Sequence, residues 1–399
     1  MLSNRVTSLI GKQILKFRSL FRQSGNHAMK KSILALAVAG ALAIPFAAQA
    51  DTILYGSARV SVDYNDETID SVETDGNWDV VNDSSRLGVV GSEELGGGLS
   101  AVYRYEFGVD ISEGGNWDSN RPKYVGLKGG FGTLTIGTQD TPYYNVAGIT
   151  DIFNSGKTFL YPQWLGGGFS LSGNRSEADG DLVRLSNSVY YSTPDFNGFS
   201  GEAMLVMNGP SSNISNDVDI WNLAVKYSNG PFFAGISYVQ LDGKSNIPLD
   251  PDNLPGYTLD LDLSNWVLGL GYNAGPFSAG FIYEQGSFYL LNLLTQVKTP
   301  TGAQFFPGDD ATNWYLTGQY VFGNNTVRAA YGQLDTGVDG DKKIDNYVVG
   351  YQYNFSKRTS VWAEYIGRSA KLYNVPGDSS SGLAMGDQNA FSLGTRVDF

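Results

Sequence analysis

The chain has no cysteine, and its single histidine, His27, lies within the first 50 residues. Without thiols there is neither a disulfide framework nor a thiolate metal site. An exported form must then be held by a large core or by a sheet closed on itself. Without histidine beyond residue 27 there is no imidazole for a nucleophile triad or a His-rich metal centre. Basic charge is also scarce: of 27 Lys and Arg, 7 precede Asp51, which leaves 20 basic against 40 acidic residues and a net charge near −20 for residues 51–399. A nucleic-acid partner needs a basic face, so none is expected. After residue 50 no run is apolar enough for a membrane-crossing helix, which takes about 17–25 residues. A crossing strand needs only about 9–11 residues with one apolar face, and that possibility stays open.

What is present begins with a leader. Met29-Lys30-Lys31 precedes an apolar run at residues 33–46 and then Ala48-Gln49-Ala50. Basic, apolar and small-x-small segments in that order predict a secretory signal over residues 29–50, cut before Asp51. Residues 1–28 are basic without an acid and read as a stretch upstream of the true start or as an extended leader. Residues 51–399 are then the exported domain. The whole chain is rich in Gly (50), Tyr (24) and Phe (21), with 7 Trp.

From residue 52 onward apolar and polar residues alternate in short segments. In residues 52–64 Leu54, Ala58, Val60, Val62 and Tyr64 share one face, and Tyr55, Ser57, Arg59, Ser61 and Asp63 the other. Over 80–90 Arg86 opposes Leu87 and Val89. Over 99–110 Tyr103, Tyr105, Phe107 and Val109 oppose Arg104, Glu106 and Asp110. Over 183–193 Leu185, Val189 and Tyr191 oppose Arg184, Ser186 and Ser188. Five such segments precede residue 138 and eleven follow residue 182, an even total of sixteen. Tight turns such as Asn229-Gly230-Pro231 and Asn273-Ala274-Gly275 alternate with long polar loops. This predicts an all-β, antiparallel transmembrane barrel of the bacterial outer-membrane kind, short turns on one side and long loops on the other. Lipid demands closure, because an open sheet edge would leave backbone groups unpaired. Tyr64, Tyr191, Tyr272 and Phe322 near strand ends fit interfacial aromatic girdles. Inner-face arginines would be costly inside a soluble sandwich and cheap in a water-filled lumen.

Residues 138–182 form the longest interval without strand periodicity, and so long an insertion is more often functional than a plain connector. It falls after the fifth segment, on the long-loop side. It offers Asp140 and Asp151, with Glu177, Asp179 and Asp181 near its return, and the aromatics Tyr143, Tyr144, Phe153, Phe159, Tyr161 and Trp164. No nucleophile–base pair and no metal cluster stands out, so no enzyme, cofactor or metal centre is expected; a carboxylate pair stays open because Asp and Glu are plentiful. Asp309-Asp310 and Asp339-Gly340-Asp341 could hold a divalent cation at a lipopolysaccharide surface or be solvated loop charge.

Residues 51–64, Ser84-Ser85-Arg86-Leu87-Gly88-Val89, residues 91–99 and 124–137, Asn187-Ser188-Val189-Tyr190-Tyr191 and the terminal residues 391–399 together resemble the general porins of Gram-negative outer membranes. The resemblance implies a homotrimer of sixteen-stranded barrels whose third outer loop, here 138–182, folds inward as a constriction. It implies an eyelet with arginines on the wall and acids on the loop. Arg59, Arg86 and Arg121 match wall positions by motif; Arg104 and Arg184 are added by alternation. Asp140 and Asp151 are the loop acids. Phe399 matches the C-terminal aromatic that this family uses as an assembly signal. The implied partners are the barrel-assembly machinery, outer-membrane lipid and lipopolysaccharide, and small hydrophilic solutes. The Pro-Glu-Phe-Gly-Gly element common in enterobacterial members is absent, and Thr138 follows Gly137 where many members carry arginine. The expected function is passive diffusion of ions and small hydrophilic solutes across the outer membrane, with a mild cation preference read from the net charge. The competing expectations are a substrate-selective channel for sugar-like solutes and a non-conducting adhesive or structural barrel.

Overall fold

The computed structural model describes residues 51–69, 72–73, 76–114, 117–118, 121–154, 182–207, 218–242, 247–250, 254–259, 262–287, 297–298, 310–335, 343–370 and 387–399. The expected leader, 1–50, lies outside the described residues, as do Phe159, Tyr161, Trp164, Glu177, Asp179, Asp181, Asp309 and Asp339-Gly340-Asp341. The chain divides into two compact units, residues 50–93 with 99–399, and residues 1–49 with 94–98. Of the second, only Glu94–Gly98 is described, a strand end and a glycine turn. The first holds the fold.

Alternating segments become sixteen strands: β1 (Asp51–Ile69), β2 (Asn77–Asn82 continued by Arg86–Gly96), β3 (Leu99–Val109), β4 (Lys123–Gly129), β5 (Gly132–Asp140), β6 (Arg184–Ser192), β7 (Phe199–Val206), β8 (Ile220–Asn229), β9 (Phe232–Asp242), β10 (Asp262–Ala274), β11 (Phe277–Gly286), β12 (Ala311–Phe322), β13 (Asn325–Asp335), β14 (Lys343–Asn354), β15 (Thr359–Ala370) and β16 (Asp387–Asp398). They belong to one sheet. Short strands outside it, Ile247–Asp250, Leu254–Leu259 and Val297–Lys298, form a small sheet of their own. The short turns carry glycine where the backbone goes left-handed, as at Gly275 and Gly323, each with φ 58.

The sheet closes where its ends meet. β1 pairs with β16 from Ser57↔Asp398 to Thr68↔Asp387. Phe399 completes the seam, its N–H donating to the Gly56 carbonyl at 3.1 Å and its carbonyl accepting from the Gly56 N–H at 3.0 Å. Closure removes the unpaired edge that lipid would punish. The two faces are inverted relative to a soluble protein. Leu223, Val225, Ile236, Leu270, Leu316, Val349 and Leu393 are exposed on the outside. Asn222, Ser237, Asn265, Glu284, Asn313 and Glu364 are buried on the inside. Outer aromatics pair at both strand ends. Trp266–Tyr283 and Trp314–Tyr331 rings lie 5.4 and 5.5 Å apart toward the long loops, and Phe232–Tyr272 rings 5.3 Å apart at the short turns. Such belts suit the two lipid–water interfaces.

Two strands depart from simple alternation. In β2, residues 83–85 lie opposite only Ala58 and Arg59 of β1, since Val60 pairs with Asn82 and Ser57 with Arg86. Ser84 takes φ 64 there. In β6, Ser186 and Asn187 lie opposite the single residue Thr138, since Gly137 pairs with Ser188 and Gln139 with Leu185. Asn187 takes φ 54. Each is a bulge, one extra residue that shifts the phase of every side chain beyond it. Two expectations change accordingly. The second strand starts earlier and runs later than 80–90. Leu185, expected opposite Ser188, is buried on the same inner face.

Candidate functional site: the lumen and its constriction

After β5 the chain turns at Thr141, whose side chain accepts from the Tyr144 N–H at 3.0 Å and caps α1 (Pro142–Ala147). A hydroxyl N-cap followed by proline at the first helical position is a strong start signal. A 3-10 turn, Gly148–Thr150, continues the segment. The loop therefore begins three residues later than the expected Thr138. Thr138 and Asp140 belong to β5, and residues 155–181 lie outside the described residues.

The segment is clamped to the inner wall on four strands, β7, β8, β11 and β15. On β8, Asn222 Oδ1 accepts from the Tyr143 N–H at 2.8 Å. On β11, Glu284 Oε1 accepts from the Tyr143 hydroxyl at 2.7 Å, and its Oε2 accepts from Asn313 Nδ2 on β12 at 2.6 Å. On β15, the Glu364 carboxylate accepts from the Asn154 N–H at 3.0 and 3.3 Å. Arg328 on β13 lies 3.7 Å from the same carboxylate. The Asn145 amide donates to Glu202 at 3.0 Å, and Glu202 also pairs with Lys226. Buried polar groups on the strands thus meet partners on the segment, which offsets the cost of burying both. Tyr143, Val146 and Ala147 are fully buried. Burial first, then the adjacent Glu284 charge, pushes the Tyr143 hydroxyl well above the ordinary tyrosine range, so it serves as a neutral donor.

The lumen is not filled. A cavity of about 650 Å³ remains between the segment and the short-turn ends of β8–β12, touching Tyr144, Ile149, Phe233, Asn273, Ser278 and Gln319.

Basic residues cluster on the wall around β1, β2 and β3. Arg59 on β1 and Arg86 on β2 face inward, as alternation predicts. The Arg59 Nε donates to Ser57 Oγ at 2.9 Å, and Arg59 is within electrostatic reach of Arg86, Arg396, Asp398 and Arg121. Among the described residues Arg86 has no ion-pair partner. Arg104 is locked instead: its Nη2 donates to Glu106 at 2.6 Å and its Nε to the Tyr55 hydroxyl at 2.9 Å. Arg121 lies 3.6 Å from the other Glu106 oxygen and donates to the Ser84 carbonyl at 3.3 Å. The β2 bulge thus places Ser84 and Ser85 between Arg59 and Arg121, with Ser85 Oγ accepting from the Arg59 N–H at 2.8 Å.

The two expected acids separate. Asp140 ends β5 and accepts from Arg184 Nε on β6 at 2.6 Å, so both belong to the strands at the base of the segment. Asp151 lies on the segment, exposed to lumen water, and accepts from the Tyr144 hydroxyl at 2.8 Å. The surrounding protein pushes its carboxyl up from the ordinary range. The Tyr144 hydroxyl and then the Arg59, Arg184 and Arg86 guanidiniums pull it back. Its access to water limits the rise, and the ionised form faces the arginine wall. Glu284, Glu364, Arg328 and Arg396 are functional candidates that the sequence reading did not single out. Each sits at an inward position of its strand, so alternation applied to β11, β13, β15 and β16 would have found them.

A family model for Gram-negative porins matches residues 35–367. The chain belongs to the Gram-negative porin family. This porin is 31% identical over 352 residues to the major outer membrane protein P.IB of Neisseria gonorrhoeae, spanning 83% of this chain and 91% of that protein. Among solved structures it superposes on an anion-selective porin from Comamonas acidovorans with a TM-score of 0.67 at 23% identity, over 88% of this chain and all of that one (100%). It also superposes on the trimer form of OmpT from Vibrio cholerae with a TM-score of 0.60 at 17% identity, over 88% and 99% of the two chains. The porin is a sixteen-stranded outer-membrane barrel and a channel for small solutes.

Proposed function

We propose that this porin is a general, passive diffusion pore for ions and small hydrophilic solutes, narrowed by the segment from Thr141 to Asn154. The observation that carries this is the clamping of the segment to β7, β8, β11 and β15, with Asp151 left facing Arg59 and Arg86. Size is then set by the lumen that the segment leaves free, and charge preference by the field between Asp151 and the arginine wall. Arg104, Arg121 and Arg184 shape that field less, because each already lies beside a carboxylate.

The direction of ion preference has two supports. The net charge near −20 of residues 51–399 favours cations. The eyelet itself favours anions: among the described residues two arginines, Arg59 and Arg86, face the single carboxylate of Asp151. Selectivity follows the potential where the path is narrowest, since lumen charges nearby are screened least, so we infer weak anion preference. Tyr143, Tyr144 and Phe153 pack against the buried cluster rather than forming an aromatic track. This supports a general pore over a sugar-selective one. A homotrimer is the proposed assembly, with Phe399 as the assembly signal read at the β1–β16 seam and lipopolysaccharide around the long-loop rim.

Planar-bilayer recording tests the reading. Ohmic conductance closing in three equal steps is expected. A reversal potential of the sign set by cations would overturn the local-charge argument in favour of the net-charge one, saturable block by one sugar would establish a selective channel, and no conductance would leave a structural or adhesive barrel.

A further inference from the structure

Beneath Val146 and Ile149 four wall positions carry no side chain. Gly235 on β9, Gly269 and Gly271 on β10 and Gly280 on β11 lie side by side on the inner face, Gly235 pairing with Gly269 and Gly271 with Gly280. The space is occupied by the segment. A methyl carbon built on Gly269 would sit 2.8 Å from the Val146 carbonyl oxygen, and one on Gly280 would sit 2.8 Å from the Ile149 carbonyl oxygen. One on Gly235 would meet the Val146 Cγ2 at 3.0 Å. One on Gly271 would collide with the Ile149 Cδ1, the far end of a flexible side chain. Gly318, on the outer face of β12, has open space around it.

We propose that Gly235, Gly269 and Gly280 are positioning residues that set the size limit of the pore, by letting the segment's backbone lie flush against the wall. The inference rests on the reading of this segment as the constriction. The physics is steric. Val146 and Ile149 act as knobs that fill the wall where side chains would otherwise stand, and packed interiors resist even one extra methylene. At Gly269 and Gly280 the obstacle is backbone, so a Cβ lifts the segment off the wall and into the lumen. At Gly271 the obstacle yields by a rotamer change, so the segment stays. At Gly235 the nearest obstacle is the Val146 side chain of the segment, which a second substitution removes, leaving only the Phe233 ring of the wall at 3.1 Å.

The test is single-channel conductance and permeation of neutral polyethylene glycols of graded size. Each variant is first shown to be a folded barrel by the heat-dependent gel mobility of the unheated protein. Wild type is recorded first; its failure to conduct would overturn the pore reading itself. With wild type conducting, Gly269→Ala and Gly280→Ala are expected to lower conductance and the size cut-off, and Gly269→Val to lower them further. Gly271→Ala and Gly318→Ala are expected to match wild type. Val146→Ala is expected to restore part of the conductance to Gly235→Ala, where it removes the clashing methyls and leaves the Phe233 ring, and to restore less to Gly269→Ala, where the carbonyl remains. Unchanged or raised conductance in folded Gly269→Ala and Gly280→Ala, or no rescue of Gly235→Ala, overturns the proposal while leaving the pore intact.

Discussion

The lumen has two unlike walls. Around β16, β1, β2 and β3 the inward positions carry long charged side chains: Arg396, Arg59, Arg86 and Arg104. These stay partly wet and bond mostly to one another's counter-charges, as Arg104 does to Glu106 and Arg396 to Asp398. From β8 round to β15 the inward positions carry glycines, amides, buried apolar side chains such as Val267 and Ile282, and the buried carboxylates Glu284 and Glu364, and the segment after β5 packs against them. The same alternation thus makes a wet electrostatic surface where the inner side chains are long and charged, and a dry seat where they are short or apolar. The segment packs where the wall leaves it room.

If the dry wall holds the segment by buried polar contacts, breaking one should have the larger effect. Glu364→Ala is expected to be the most damaging. It takes the acceptor from the Asn154 N–H and the counter-charge from Arg328, and breaking a buried pair on one side costs about 3–5 kcal/mol. A lower unfolding midpoint and frequent spontaneous closures in bilayer recordings are the readouts. Tyr143→Phe follows. It removes the Tyr143 hydroxyl as a donor to Glu284 and leaves the Asn313 amide, a loss of about 1–3 kcal/mol in docking the segment. Faster hydrogen exchange of the Tyr143 amide, which donates to Asn222, would report it; unchanged exchange would mean that apolar packing alone holds α1.

On the wet wall the expected effects fall on permeation and barely on stability. Arg59→Ser with Arg86→Ser should move the reversal potential toward cation preference. Arg104→Ser should move it less, because Glu106 already compensates Arg104 and would still have Arg121 beside it. An Arg104→Ser shift half that of the double variant, equal per charge removed, would mean that the lumen averages its charges and that no eyelet field exists.

The wet wall was far more legible in the sequence than the dry one. An arginine between apolar neighbours, as Arg59 is between Ala58 and Val60, announces its face by contrast. The number and order of strands were legible for the same reason, since period two persists even in short segments. The bulges were not. Nothing in Asp83-Ser84-Ser85 or Ser186-Asn187 marks an inserted residue, and one insertion reverses the phase, which is why alternation alone puts Leu185 on the wrong side. Asp140 reads as loop because Gly137-Thr138 looks like a strand end, whereas pairing with Arg184 carries β5 three residues past Gly137. The seat was invisible for a different reason. Gly269 and Gly280 read as weak points of a strand until the backbone of a segment more than a hundred residues earlier is seen against them.

Asp151 is the one described residue through which the two walls meet, and it gives the smallest and most diagnostic prediction. It belongs to the segment held by the dry wall, yet its carboxylate is wetted and faces the arginines of the other. Asp151→Asn removes one negative charge from the eyelet and should shift the reversal potential modestly toward anions, leaving conductance and stability near wild type. The pH dependence carries the sign. Because enclosure raises its pKa above the ordinary 3.8, protonation begins at a higher pH than for a free aspartate. As pH falls, the wild-type pore should therefore drift toward anion preference before exposed carboxylates titrate, and Asp151→Asn should lack that early part of the drift. If the variant keeps the full pH profile of wild type, the titrating carboxylate lies elsewhere and Asp151 does not set the field. If the early drift disappears, the segment contributes charge as well as shape, and the dry wall matters to selectivity because it holds that charge opposite Arg59 and Arg86.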